Sequence, residues 1–282
     1  MNLRIIPKID IKNKNVVKGV HLEGLRALGD PRSFAEIYYK QSADELIYHD
    51  VVASLYQRNS TSDLIKQTSK NIFLPFLVGG GISTLEEIEK ILKSGADRVF
   101  LNTAALNNFD FLKKAVKNFG SSTIVLSIET IKVNSKYFCR KDFGREQTNL
   151  EFEDWVKKTE EIGIGEFLIT SIDSDGTGQG FDLDLAKRIS KLNIKTPFIL
   201  NGGFSKPDHF SEVLKICKPS GFAVGSMLHY NCLNQTKTQS GLEDGNFDFK
   251  LKKNDFKKFN KYSIIDIKNF LKNKFQINFR NS

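Results

Sequence analysis

The chain has 282 residues, 40% of them hydrophobic, and its Lys and Arg outnumber Asp and Glu to give a formal charge of +9. That length suits one large α/β domain or two smaller ones; no apolar run approaches the roughly 20 residues that span a bilayer, and MNLRIIPKID puts a Lys and an Asp where a signal peptide is apolar, so a cytoplasmic chain with no membrane role is expected. The basic residues are dispersed and no nucleic-acid-binding signature occurs, which favours phosphorylated small molecules over nucleic acid, and three scattered cysteines (Cys139, Cys217, Cys232) form neither a disulfide framework nor a metal site.

In chain order, apolar strand-length runs alternate with amphipathic helix-length runs. A strand over 5–10 precedes a helix over 33–41; strands at 46–51 and 73–79 precede helices at 62–70 and 84–95, the last capped by Thr84 and stopped by Gly95. Strands at 98–103, 123–129, 166–172, 197–202 and 221–226 follow, with helices at 109–120, 152–163, 183–192, 207–216 and 263–275. Eight near-continuous apolar strands, each followed by a helix, predict a closed parallel (β/α)8 TIM barrel. It forms one domain over 1–282, with an insertion at about 231–261 before the closing helix; the basic stretch KLKKNDFKKFNKY (250–262) reads as solvated surface. The segment KNKNVVKGVHLEGLRALGDP after the first strand is long for a βα connection and reads as a lid, with Lys18 near its start either exposed or turned into the pocket.

An internal repeat supports the barrel. Residues 75–106 align without gaps on 197–228 at an offset of 122, so Pro75 meets Pro197, Gly80 and Gly81 meet Gly202 and Gly203, Ser83 meets Ser205 and Ala104 meets Ser226. ADELIY (43–48) falls on GEFLIT (165–170), and Asp10 lies 119 residues before Glu129. Two half-barrels related by a two-fold repeat account for this.

Chemistry in such a barrel belongs at the C-terminal ends of the strands. The acids there are Asp10, Asp50, Glu129, Asp173 and Asp175, and Asp10 and Glu129 end the first and fifth strands, opposite each other across the mouth. Paired carboxylates in different surroundings can act as general acid and general base. VGGG (78–81) and NGG (201–203) each join a strand to a helix, where bare backbone N–H groups can approach an anion. Gly80 and Gly81 with Asn102 and Thr103, and Gly202 and Gly203 with Gly225 and Ser226, predict two phosphate sites for a substrate phosphorylated at both ends. DGTGQGFD (175–182) adds Asp175, Gly176 and Thr177; Asp50, Thr170 and Ser171 complete the candidate binding set.

Taken together, IIPKIDIK, VVKG, GLR before GDP, ADEL, VGGGI, GADRVFLNTAA, GIGE, LITSIDSDGTGQGFD and the closing LHY resemble the cyclase subunit of imidazole glycerol phosphate synthase. The resemblance covers residues 4 to about 230, and the final helix over 262–275 matches the family's closing helix. It implies an enzyme of histidine biosynthesis that needs no cofactor. Ammonia from a partner glutaminase attacks a phosphoribulosyl formimino aminoimidazole carboxamide ribotide, which is cleaved and cyclised to imidazole glycerol phosphate and an aminoimidazole carboxamide ribotide. It further implies acid–base roles for Asp10 and Glu129, a turnover role for Lys18, and a glutaminase docked at the N-terminal face. Ammonia then passes a charged gate at the positions of Arg4, Glu45, Arg98 and Glu166.

Two departures stand out. The family's second carboxylate is Asp, and here Glu129 is longer by a methylene; and 231–261 is an insertion. Both resemble a paralogous branch in cell-surface sugar biosynthesis, which implies an alternative in which the barrel conducts ammonia to a sugar amidotransferase.

Overall fold

The computed structural model describes residues 3–53, 61–233 and 262–279. Its first half runs β1 (Arg4–Lys12), β2 (Asn15–Val20), β3 (Glu23–Gly29), α1 (Pro31–Lys40), β4 (Leu46–Asp50), α2 (Thr61–Thr68), β5 (Phe76–Gly79), α3 (Leu85–Lys93), β6 (Arg98–Leu101), α4 (Thr103–Asn107) and α5 (Phe109–Phe119). The second half runs β7 (Ile124–Val133), β8 (Lys136–Lys141), β9 (Glu146–Glu151), α6 (Phe152–Glu160), β10 (Glu166–Ser171), α7 (Leu183–Leu192), β11 (Phe198–Asn201), α8 (Pro207–Leu214), β12 (Gly221–Val224), α9 (Ser226–Cys232) and α10 (Ile264–Phe275).

Eight strands, β1, β4, β5, β6, β7, β10, β11 and β12, pair in parallel in that order, and β12 pairs back onto β1. The expected (β/α)8 barrel is therefore closed. Strand residues alternate between two apolar layers, as the two-residue period of a strand requires. One layer packs the strands against the helices: Ile5, Leu46, Phe76, Phe167 and Phe222 belong to it. The other fills the lumen with one buried residue from each barrel strand: Ile6, Ile47, Leu77, Phe100, Val125, Leu168, Ile199 and Ala223. Fully burying a Leu, Ile or Phe is worth about 1.5–3 kcal/mol, so the lumen is a packed core in its own right.

The lumen layer fixes the repeat register. Ile6 matches Val125 at 119 residues, Ile47 matches Leu168 at 121, Leu77 matches Ile199 at 122 and Phe100 matches Ala223 at 123. The constant offset of 122 thus slips by one before the last strand, and Ser226 is equivalent to Thr103 rather than to Ala104. Asp10 and Glu129 each stand four residues beyond their lumen residue, which makes them true equivalents.

The segment read as a lid is an ordered hairpin. β2 folds back antiparallel on the end of β1, and β3 pairs antiparallel with β2 through a two-residue turn in which His21 and Leu22 both take positive φ (53° and 62°). A second hairpin, β8 with β9, extends β7 in the other half. Val17 and Leu22 of the first and Phe143 of the second pack with Val51, Val52 and Ile172 into one small cluster at the mouth. Of the insertion, Asn231 and Cys232 close α9, and 234–261, with most of the basic stretch, lies outside the described residues. The three cysteines are buried and free. Among the described residues no helix is long and apolar enough to cross a membrane.

Candidate functional site

Three levels of side chain lie along the barrel axis. At the N-terminal end Arg4, Glu45, Arg98 and Glu166 close a ring in which each guanidinium meets both carboxylates. Arg4 contacts Glu45 at 2.6 Å and Glu166 directly, while Arg98 contacts Glu166 at 2.7 Å and Glu45 at 3.4 Å. Burial pushes Glu45 above its usual range even with both arginines opposing it. Burial also opposes the charge of Glu166, but the two arginines and the Ser220 hydroxyl, which donates to it, bring it below that range. The ring is closed, and above it the apolar lumen layer fills the axis.

At the mouth stand the two acids, both buried, in different company. Asp10 meets Nζ of Lys8 through one oxygen and Nζ of Lys18 at 3.4 Å through the other, with His49 Nδ1 at 3.5 Å. Lys18 turns inward, to 2.6 Å from Asp175, so it is a pocket residue and not an exposed one. Burial opposes the charge of Asp10, but Lys8, Lys18 and the His49 hydrogen bond outweigh it and hold the carboxyl well below the usual range. Burial likewise opposes the charge of Lys18, and Asp175 and Asp10 outweigh it, so its pKa is raised. Among the described residues Glu129 hydrogen-bonds only with neutral donors: Asn102 Nδ2 at 3.1 Å and the Gly144 N–H at 2.9 Å reach its Oε2. Burial pushes its carboxyl up to about 7, against the opposing pull of Lys8 and Gly144 and with the help of Asp10 and Asp175. Two carboxyls at equivalent points of two half-barrels are thereby pushed apart, one fixed as an anion and one able to exchange a proton near neutrality.

The longer side chain at 129 is met by the β8–β9 turn. Asp142, Phe143 and Gly144 all take positive φ (53°, 57° and 76°), which aims the Gly144 N–H at Glu129 and brings the Phe143 ring to 5.2 Å from His49. Phe100 packs edge-on against the other side of His49 at 5.0 Å, and burial in this apolar cage pushes the imidazole down to about 4, so it is neutral.

A cavity of about 520 Å³ opens beside Glu129, lined by Asp50, Gly80, Gly81, Asn102 and Thr103 among others. Its pseudo-symmetric counterpart, lined by Asp175, Gly176, Gly202, Gly203, Gly225 and Ser226, is a crevice of about 10 Å³. The first hairpin covers the second crevice: His21 N–H donates to Asp175 O at 2.8 Å, and a Cβ on Gly176 would lie 2.2 Å from Gly19 O. Both glycine pairs take positive φ, and Gly81 and Gly203 leave no room for a Cβ, which would stand 2.6 Å from Ala53 and 2.0 Å from Gly180 O. The helix that follows the first glycine turn is not an open N-terminus, because Thr84 and Glu87 form a capping box there. No side chain caps the starts of α4 and α9, beside Asn102 and Gly225, nor those of α6 and α8. The hydroxyl of Ser226, buried beside the crevice, also has no partner among the described residues.

Three candidates fall outside this constellation. Asp173 is exposed and accepts from Lys132 N–H, so it holds the β7 edge. Ser171 alternates with Thr170 and points away from the lumen, offering only its carbonyl, whereas Thr170 faces inward and accepts from Asn201 at 3.2 Å. Thr177 donates to Ser174 O at 2.7 Å and shapes its own turn. Lys8, His49 and Gly144 belong to the site and were missed. Lys8 stands two residues before Asp10, on the same face of the same strand.

Residues 4–234 match the family described as "Histidine biosynthesis protein". A Legionella pneumophila protein named imidazole glycerol phosphate synthase subunit HisF is 47% identical over 211 residues, covering 74% of this chain and 99% of the relative. Proteins of the same name from Hydrogenobaculum sp. (strain Y04AAS1) and Methanocaldococcus jannaschii are each 39% identical, over 86% and 80% of this chain and 96% and 90% of their own lengths.

Proposed function

The chain belongs to the histidine biosynthesis protein family, and from that premise we propose that it is the cyclase subunit of imidazole glycerol phosphate synthase, with Asp10 and Glu129 as its working carboxylates. The observation that carries the assignment of roles is the contrast between the two acids: Asp10 is held by two ammonium groups, Glu129 by an amide and a backbone N–H. Cyclising the ribotide with ammonia and expelling the aminoimidazole carboxamide ribotide through its amino nitrogen requires one proton to leave the incoming nitrogen and one to reach the departing one. Glu129, titrating at about 7, can accept the first and return the second. Asp10 remains ionised and stabilises the cation that forms when ammonia adds.

The two glycine turns hold the terminal phosphates, with Gly80, Gly81, Asn102 and Thr103 at one end and Gly202, Gly203, Gly225 and Ser226 at the other. Lys18, already between Asp10 and Asp175, brings the first hairpin over the bound ribotide. A glutaminase subunit docks at the N-terminal face, and ammonia enters past Arg4, Glu45, Arg98 and Glu166 once the ring and the apolar layer above it move aside.

The test is turnover of the ribotide by the purified protein in high ammonium salt, which bypasses the glutaminase. Imidazole glycerol phosphate should form; no product from intact, folded protein would sink the assignment. Delivery of ammonia to a sugar amidotransferase uses the same ring and barrel but needs no ribotide turnover, so this assay separates the two readings.

A further inference from the structure

The inward face of β1 reads Arg4, Ile6, Lys8, Asp10, so a lysine stands inside the barrel one pleat below the mouth acid. Lys8 is 4% exposed, its Nζ contacts Oδ1 of Asp10, and it lies 5.8 Å from the centre of the Phe143 ring. A buried lysine is costly unless it is paired, and its stem takes lumen space that β7 and β10, across the barrel, fill with smaller groups, Ser127 and Thr170.

Charged or titratable groups face Asp10 from several elements. Lys8 comes from β1, Lys18 from β2 with Asp175 behind it, and His49 from β4; Glu129 on β7 and His229 on α9 act from farther off. His49 and His229 are neutral, each pushed down by burial, to about 4 and about 3. Lys8 and Lys18 therefore balance Asp10 and Asp175, and the buried cluster is free of net charge only when Glu129 carries a proton. Without Lys8 the cluster would lose the ammonium in contact with Oδ1 of Asp10, and the division of labour between Asp10 and Glu129 would be lost.

We propose that Lys8 is a positioning residue that locks Asp10 as a permanent anion and so confines proton exchange to Glu129. The inference rests on the reading of Asp10 and Glu129 given above, and its decisive measurement is independent of turnover. Protein carrying 13C-labelled Asp and Glu carboxyls is titrated by NMR as the wild type, Lys8→Met and Lys8→Arg. In the wild type Asp10 should stay ionised down to the lowest pH at which the fold persists, and Lys8→Arg should behave the same way. In Lys8→Met the Asp10 inflection should move up by about one pH unit or more, the scale of effect of an ammonium at contact distance. A wild-type Asp10 that titrates in the ordinary carboxylate range, or an inflection unmoved in Lys8→Met, overturns the proposal. If Lys8→Met does not fold, the wild-type and Lys8→Arg titrations still decide it. In the ammonia-dependent assay Lys8→Met should lower kcat more than it raises KM and add a second inflection on the acid side, which Lys8→Arg removes. Absence of ribotide turnover in the wild type would count against the proposed function and leave the carboxyl titration to judge Lys8.

Discussion

The side-chain amide of Asn102, just past β6, lies 3.1 Å from the carboxylate of Glu129 on β7 and donates to the oxygen that also accepts the Gly144 N–H. Both donors favour the ionised form, so Asn102 limits how far burial can raise this carboxyl. Asn102→Ala should move the Glu129 inflection in the pH profile of ammonia-dependent turnover upward. It should also lower kcat at pH 7 about 10-fold, the scale of one lost hydrogen bond to a charged group.

Glu129 itself should trade stability for activity. Its carboxyl is raised from 4.5 to about 7 in the folded chain, so folding favours the neutral form. The group's contribution is fully present below pH 4.5 and is lost as pH rises through 7. Glu129→Gln, which cannot ionise, should therefore gain about 3 kcal/mol over the wild type between pH 5 and pH 8 in urea melts, while losing about 10²- to 10⁴-fold in turnover. Equal pH slopes for the two proteins would contradict this.

The ring at the other end should respond differently. Arg98→Ala leaves Glu45 and Glu166 sharing Arg4, and the partly buried site should lose roughly 2 kcal/mol in denaturant unfolding. Turnover with free ammonium should survive the change, whereas glutamine-dependent turnover with the glutaminase should fall, because the mouth is untouched and the entrance is not.

Gly203→Ala tests the crevice. The residue sits at φ 83°, and the new methyl would stand 2.0 Å from Gly180 O, a backbone atom that cannot step aside. A strain of about 1–3 kcal/mol is expected, with a rise in KM for the ribotide larger than the fall in kcat. Thermal melts and steady-state kinetics on the same preparation would check both.

The barrel was legible because its strands are short, apolar and regularly spaced, and the acids at their ends follow from that frame. The hairpins were not. The turns at His21–Leu22 and Asp142–Gly144 adopt left-handed backbone at positions where no Asn-Gly pair announces it, and β2 and β3 are too rich in Lys, Glu and Gly to alternate cleanly. The slip at the last strand escaped notice because Ile199 to Ala223 is only one residue longer than Leu77 to Phe100, and the ungapped alignment absorbs it. Lys8 was hidden by its own strand: IIPKID reads as an apolar run, and only the closed barrel shows that the fourth residue points to the axis.

The four-membered ring of Arg4, Glu45, Arg98 and Glu166 has a mechanical property that a single ion pair lacks. Displacing any one side chain breaks two of its contacts but leaves the other three joined in a row, and that row marks where the fourth must return. On the proposed route, ammonia entering along the axis would meet a latch that resets itself.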